Sequence, residues 1–197
     1  MSTYLYIDGE NLRHYLEDVL SLNGLKNDHI DNVKVSPLID KVLADIKVDK
    51  KIFYSAKLHS HPDFLKKSME IIERQRTLKN YLEENGYEFI ISGNVRPFDV
   101  GADGRKKVIF KEKGVDVKIA VDMVANTCDR KVSTVILCSS DSDLQPAVKE
   151  VRGRGIEVIY LGFEQRPNKG LTFTTNRTIL IRNSEVLAEV KVNQKKY

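Results

Sequence analysis

Apolar residues in this chain follow two alternating rhythms. Short dense runs, "TYLYI", "KIFYSAKL", "YEFIIS", "STVILCSS" and "IEVIYLGF", predict buried strands. Between them, apolar positions recur three and four residues apart. "NLRHYLEDVLSL" places Leu12, Tyr15, Leu16, Val19 and Leu20 on one helical face. "SPLIDKVLADI" predicts a helix with Ser36 as N-cap and Pro37 at the first helical position. A long helix is predicted from about Asp63 to Asn85, closed by Gly86. "VDVKIAVDMVANTC" predicts another, with Val117, Val121, Val124 and Cys128 along its apolar face, and "DLQPAVKEVRGR" a third. "NVRPF" and "KVIFKE" flank the turn residues "DVGADGR" and predict a hairpin arm. The tail adds a strand, "TILIRN", and a short helix, "SEVLAEV".

Strands alternating with helices predict an α/β fold whose mainly parallel sheet is covered on both faces. No repeat or linker divides the chain, so one domain is expected over residues 1–197, with its core at about 3–163 and a C-terminal extension at about 171–192. The 197 residues, 41% hydrophobic and 30% charged, suit that size. No apolar run approaches the roughly 18 residues of a membrane span, and "TYLYI" follows the first residues without a signal-peptide pattern. Cys128 and Cys138 lie in apolar stretches and read as small buried hydrophobes of a reducing compartment, so a cytoplasmic location is expected. The net charge of +4 and pI near 8.9 favour anionic partners only mildly.

Ligands of such sheets bind beyond the C-terminal ends of the strands. There the first strand ends on Asp8, the second on His59 and His61, and "STVILCSS" runs into Asp141 and Asp143, while Asp116 starts the preceding helix. Crowded carboxylates repel one another, and a divalent cation that takes oxygen ligands, such as Mg²⁺, removes the conflict. Such an ion can activate water and neutralise charge on a phosphodiester. Helix capping by Ser140 or Asp141 competes with this reading of "SSDSD". A P-loop and a strand-linked G-x-G-x-x-G are absent, and so is G-x-S-x-G. "DGEN" after the first strand lacks the close aspartate pair of haloacid-dehalogenase-like phosphatases.

Other residues carry two readings each. Asn11 can bind water or a phosphate oxygen beside Asp8, or cap a helix. Asp122 sits about 240° around the helix from Asp116, so an ion pair with Lys118 competes with a supporting role for Asp122, Lys118 and Ser140. Glu10 reads as solvated. "GRKKVIFKEKG" sets Arg105, Lys106, Lys107 and Lys111 on the hairpin arm, where they could neutralise the phosphates of a polyanion or merely protect an edge strand. Tyr54, Phe98 and Phe110 fit base stacking or core packing.

"YIDGENL", "KGVDVKIAVDMV" and "CSSDSDLQPAVKEVRGRGIEVIYLG" resemble the signatures of NYN domains, PIN-like nucleases, most closely the LabA-like branch, over about residues 3–163. The resemblance implies a Rossmann-like sheet in order 3-2-1-4-5, an acidic Mg²⁺ or Mn²⁺ site, and endonucleolytic cleavage of RNA. It makes Asp8, Asp116, Asp141 and Asp143 the catalytic and metal-binding acids, and Asn11 the amide beside Asp8. "NKGLTFTTNRTILIRN" departs from the family ending. The expected activity is that of an endoribonuclease using metal-activated water on single-stranded RNA. An RNA-binding or regulatory module with a weak or inactive site, and a metal-dependent nucleotide phosphohydrolase, are the alternatives; the basic arm favours a polymer. A homodimer stays open.

Overall fold

The computed structural model describes residues 2–25, 30–60, 65–99 and 108–190. Its elements are β1 (Thr3–Asp8), α1 (Gly9–Leu22), α2 (Val35–Val42), β2 (Lys50–Lys57), α3 (Leu65–Glu84), β3 (Tyr87–Asp99) and β4 (Val108–Lys113). These are followed by α4 (Val115–Cys128), β5 (Thr134–Cys138), α5 (Gln145–Gly153), β6 (Glu157–Phe163), α6 (Lys169–Thr174), β7 (Arg177–Ile181) and α7 (Asn183–Ala188). The strands form one sheet in the order β4-β3-β2-β1-β5-β6-β7. All neighbours pair in parallel except β3 and β4. Without the antiparallel β4, the parallel strands run 3-2-1-4-5-6, so "TILIRN" extends the expected five-strand order by a sixth.

Period-two alternation sends successive side chains to opposite faces. Leu5, Ile7, Phe53, Ile136, Cys138, Ile159 and Leu161 point to one face, packed with residues of α1, α2 and α7 and with Leu82 of α3. Tyr6, Ile52, Tyr54, Val135, Leu137, Val158 and Tyr160 point to the other, packed with Val115, Ile119 and Met123 of α4, Val148 and Val151 of α5, and Leu171 of α6. Both faces are therefore dry, which is why the strands read as unbroken apolar runs.

Several local expectations need correction. Helix α4 buries Val115, Ile119, Met123 and Thr127, not the stripe read from the sequence. Val117 and Val121 are 60% and 55% exposed, and Cys128 is exposed as well. The helix is apolar on nearly every side, so periodicity alone could not select the face that meets the sheet. Cys138 is buried as expected. Helix α2 starts at Val35 with Lys34 at its N-cap; Ser36 is buried one residue further in, with its hydroxyl towards Asp40. "YEFIIS" and "NVRPF" are one continuous strand, β3, whose far half pairs with β4 to make the arm.

Candidate metal centre at the sheet edge

The sheet reverses direction of growth at β1, which lies between β2 and β5. Helix α1 leaves β1 on one face of the sheet and α4 enters β5 from the other, which makes the C-terminal ends of β1 and β5 the place where such sheets bind ligands. Ile7 pairs with Cys138, so Asp8 and Ser139 emerge side by side. Asp116 arrives from elsewhere. Gly93 and Gly114 have φ of 71° and 94° and meet at the corner between the arm and α4. A Cβ on Gly93 would collide with the Lys113 carbonyl. The left-handed Gly114 turns the chain straight from β4 into α4 and places Asp116 in its first turn, with Gly93 of β3 packed against that corner.

Asp116, Asp141 and Asp143 come together: one carboxylate oxygen from each lies within 4.8 Å of the other two. Asp116 and Asp141 are half-buried and Asp143 is exposed. None forms an ion pair among the described residues. Asp141 also caps the short 3₁₀ turn Ser142–Leu144, accepting from the Asp143 backbone N–H at 2.9 Å. Capping and clustering, opposed in the sequence, coexist here: the cap uses Asp141 Oδ1 and sets Asp143 beside it.

Asp8 lies outside that trio. It is 4% exposed and caps α1. Its Oδ1 accepts from the Asn11 backbone N–H at 3.1 Å, and its Oδ2 accepts from Asn11 Nδ2 at 2.5 Å and Ser139 Oγ at 3.0 Å. Burial pushes the Asp8 carboxyl above its usual range; the bonds from Asn11 and Ser139 oppose this, and the negative charge of Asp141 adds to it. Ser139, fully buried, also accepts from the Asp141 backbone N–H at 3.1 Å. Asn11 Oδ1 in turn accepts from Ser140 Oγ. The buried aspartate is thus tied through Ser139 and Asn11 to the loop that carries the clustered acids.

A second anchor comes from a region that the sequence left unexplained. Asn168 caps α6, and its Nδ2 donates to the Ser140 carbonyl at 2.8 Å. Its backbone N–H donates to Tyr160 Oη at 3.0 Å. Tyr160 can lie along the strand only because Gly162 has no Cβ; one built there would meet the tyrosine ring at 2.6 Å. Ser139, Asn168, Tyr160 and Gly162 were all missed as site residues. The one local signal was an Asn three residues before an apolar Leu171, a helix-start pattern.

The remaining candidates fall as follows. Lys118 Nζ reaches Asp122 Oδ1 at 2.6 Å, and Tyr54 Oη donates to Asp122 Oδ2 at 2.9 Å. Asp122 is therefore committed to an ion pair and a buried tyrosine, away from the clustered acids. Tyr54 is fully buried, so it packs and does not stack on a ligand. Glu10 is held by Arg13 and His14. Burial alone would raise its carboxyl, but the bonds from His14 and Arg13 pull it down to about 2. His59 faces Asn94 Oδ1 at 3.2 Å. His61, Arg105, Lys106 and Lys107 lie outside the described residues; Lys111 has a described backbone place in β4, opposite Arg96. The side chains of Phe98 and Phe110 are likewise outside the description.

The family model of the NYN domain matches residues 2–181. The chain belongs to the NYN domain family. That membership carries a PIN-like nuclease fold, and the acid cluster sits beyond the C-terminal end of β5, where sheets of this kind bind ligands. A protein of unknown function from Vibrio parahaemolyticus has a similar fold, with a TM-score of 0.58 and 17% identity over 91% of this chain and 92% of that one. No curated protein matches. No helix among the described residues is long and apolar enough to cross a membrane. The trio suits a hard divalent cation: it offers only oxygen donors and carries three negative charges without a basic partner among the described residues.

Proposed function

We propose that this NYN domain is a metal-dependent endoribonuclease acting on single-stranded RNA. The observation that carries the reading is the meeting of Asp116, Asp141 and Asp143, from two separate chain regions, at the switch point of the sheet. These three carboxylates hold Mg²⁺ or Mn²⁺. When bound, the ion supplies Lewis acidity, making water a better nucleophile and neutralising charge on the phosphate. Asp8 completes the acidic centre from behind. Through Ser139 it fixes the backbone of Asp141, and through Asn11 it fixes Ser140. The arm residues Arg105, Lys106, Lys107 and Lys111 bind substrate phosphates, and the second N–H of the Asn11 amide, whose first is given to Asp8, offers one more donor to them. Water adds to phosphorus, the bond to the 3′ oxygen breaks, and the products are a 3′ hydroxyl and a 5′ phosphate. The chain acts as one domain over residues 1–197.

The test is purified protein with end-labelled single-stranded RNA, in Mg²⁺, in Mn²⁺ and with a chelator. Internal cleavage that needs the cation and leaves 5′-phosphorylated fragments is expected. RNA binding without turnover in either cation would leave a binding module. Turnover of free nucleotides with intact RNA would make it a phosphohydrolase.

A further inference from the structure

We propose that the outer face of α6 is a nucleobase platform. Phe173 stacks on a base of single-stranded RNA while Lys169, one turn earlier, holds a phosphate of the same stretch. This rests on the nuclease reading above and extends the substrate path to the side of the acid cluster opposite the basic arm.

The first observation is exposure. Phe173 is 88% exposed, more than any other large apolar side chain among the described residues. A single exposed hydrophobe is ordinary on a protein surface. What sets this one apart is its setting. Lys169 and Phe173 are four residues apart on one helix and therefore share a face, about 6 Å apart along the axis. That separation is on the scale of one nucleotide's phosphate and its own base. Lys169 is exposed and has no ion-pair partner among the described residues. From Arg166 to Thr174 the chain carries two cations and no acid.

The second observation is rigidity. Isolated helices this short are unstable in water, yet α6 is pinned on all its inner sides. Leu171 is fully buried. Asn168 Oδ1 accepts from the Leu171 N–H at 2.9 Å, and Thr172 Oγ1 donates to the Asn168 carbonyl at 3.0 Å. Thr174 and Thr175 hydroxyls donate back to Gly170 and Leu171 carbonyls, both at 2.8 Å. Arg152 Nη1 donates to the Thr174 carbonyl at 2.6 Å from α5. An aromatic ring held on such a base loses little freedom when a flat ligand covers it.

The third observation is position. The Asn168 side chain that caps α6 also holds the Ser140 carbonyl, next to Asp141. Phe173 follows five residues later, about 7.5 Å along the helix. A strand leaving the acid cluster on this side passes Lys169 before it reaches the ring. Stacking tolerates any base because every base has a flat π-face, so the platform adds affinity without strong sequence choice.

The test uses the full chain, short labelled single-stranded RNAs and anisotropy titration, with an abasic site moved stepwise along the oligonucleotide. Wild-type protein is expected to lose affinity when the abasic site falls at one position. Phe173→Ala is expected to bind the intact RNA roughly five- to hundred-fold more weakly and to become insensitive to the abasic site at that position. Phe173→Trp should restore both. In turnover, Phe173→Ala should raise KM and keep kcat. Lys169→Ala should flatten the salt slope by about 0.7. Unchanged affinity in Phe173→Ala, or abasic sensitivity that persists in it, overturns the platform while leaving the nuclease reading intact. A change of oligomeric state without loss of RNA affinity overturns it too, in favour of a protein contact. Wild-type protein that neither binds nor cuts RNA refutes the nuclease reading itself and the platform with it.

Discussion

Ser139→Ala removes one oxygen that serves two functions. In the native protein Ser139 Oγ donates to Asp8 Oδ2 at 3.0 Å and accepts from the Asp141 N–H at 3.1 Å. The first bond goes to a buried carboxylate, and such bonds contribute about 1.5–3 kcal/mol. The second joins a half-buried N–H that water can partly reach, so its loss costs about 0–1 kcal/mol. Together the substitution should destabilise the fold by roughly 1.5–4 kcal/mol, which for a chain of this size lowers Tm by about 3–16 °C.

The pH dependence of this loss separates Asp8 from simple packing. Burial raises the Asp8 pKa, and Ser139 is one of the groups holding it down. A group raised in the folded state stabilises most below its unfolded value, about 3.9 for aspartate, and that stability is lost as pH rises through the folded value. Without Ser139 the folded value moves further up, so the loss at neutral pH is larger. The difference in stability between Ser139→Ala and wild type should therefore be greatest near neutrality and shrink in acid, where Asp8 is protonated in both. Thermal unfolding of both proteins across that range measures it. RNA cleavage should drop about 10- to 100-fold, as for lost supports of metal ligands elsewhere, because the Asp141 backbone is no longer tethered. A Tm loss that is flat with pH, or full cleavage with the tether gone, would refute the coupling of Asp8 to Asp141 through this hydroxyl.

Asp141→Asn should lose cleavage by about a hundred-fold or more while unfolding at the wild-type temperature or above, since one repelling charge is gone from the acid cluster; wild-type turnover would remove Asp141 from the centre. Mg²⁺ or Mn²⁺ should support activity and a chelator abolish it, and stoichiometric zinc retained through chelator dialysis would contradict an all-oxygen donor set. Replacing Lys106 and Lys107 with Ala should weaken RNA binding alike across sequences and flatten its salt dependence by about 0.7 for each phosphate no longer neutralised; filter binding at several salt concentrations reads this, and an unchanged slope would leave the arm a plain edge hairpin. Gly162→Ala should displace the Tyr160 ring, release Asn168 and lower cleavage more than RNA affinity, whereas unaltered kcat would show that the α6 anchor has no part in the chemistry.

The order of the strands around β1 followed only from the resemblance to NYN domains, but the strands themselves were legible because both sheet faces are buried, and strands dry on both sides announce themselves as unbroken apolar runs. Asp8, Asp141 and Asp143 were legible for the same reason, as polar residues where such runs stop. Asp116 could be named from its motif, but only the Gly93–Gly114 corner brings it to the others. Helix α4 shows where local pattern fails. Val117, Val121, Val124 and Cys128 have a helical spacing as good as that of Val115, Ile119 and Met123, and only the position of the sheet decides which set is buried. Asp8 could be read as an acid at the right place, yet its withdrawal behind the trio depends on Ser139 and Asn11 taking its oxygens. Asn168 acts on Ser140 across 28 residues. Sequence encodes what each residue prefers of its own neighbourhood, through periodicity, capping and burial; which distant groups share a hydrogen bond is set by packing, and that part of the site exists only in the folded chain.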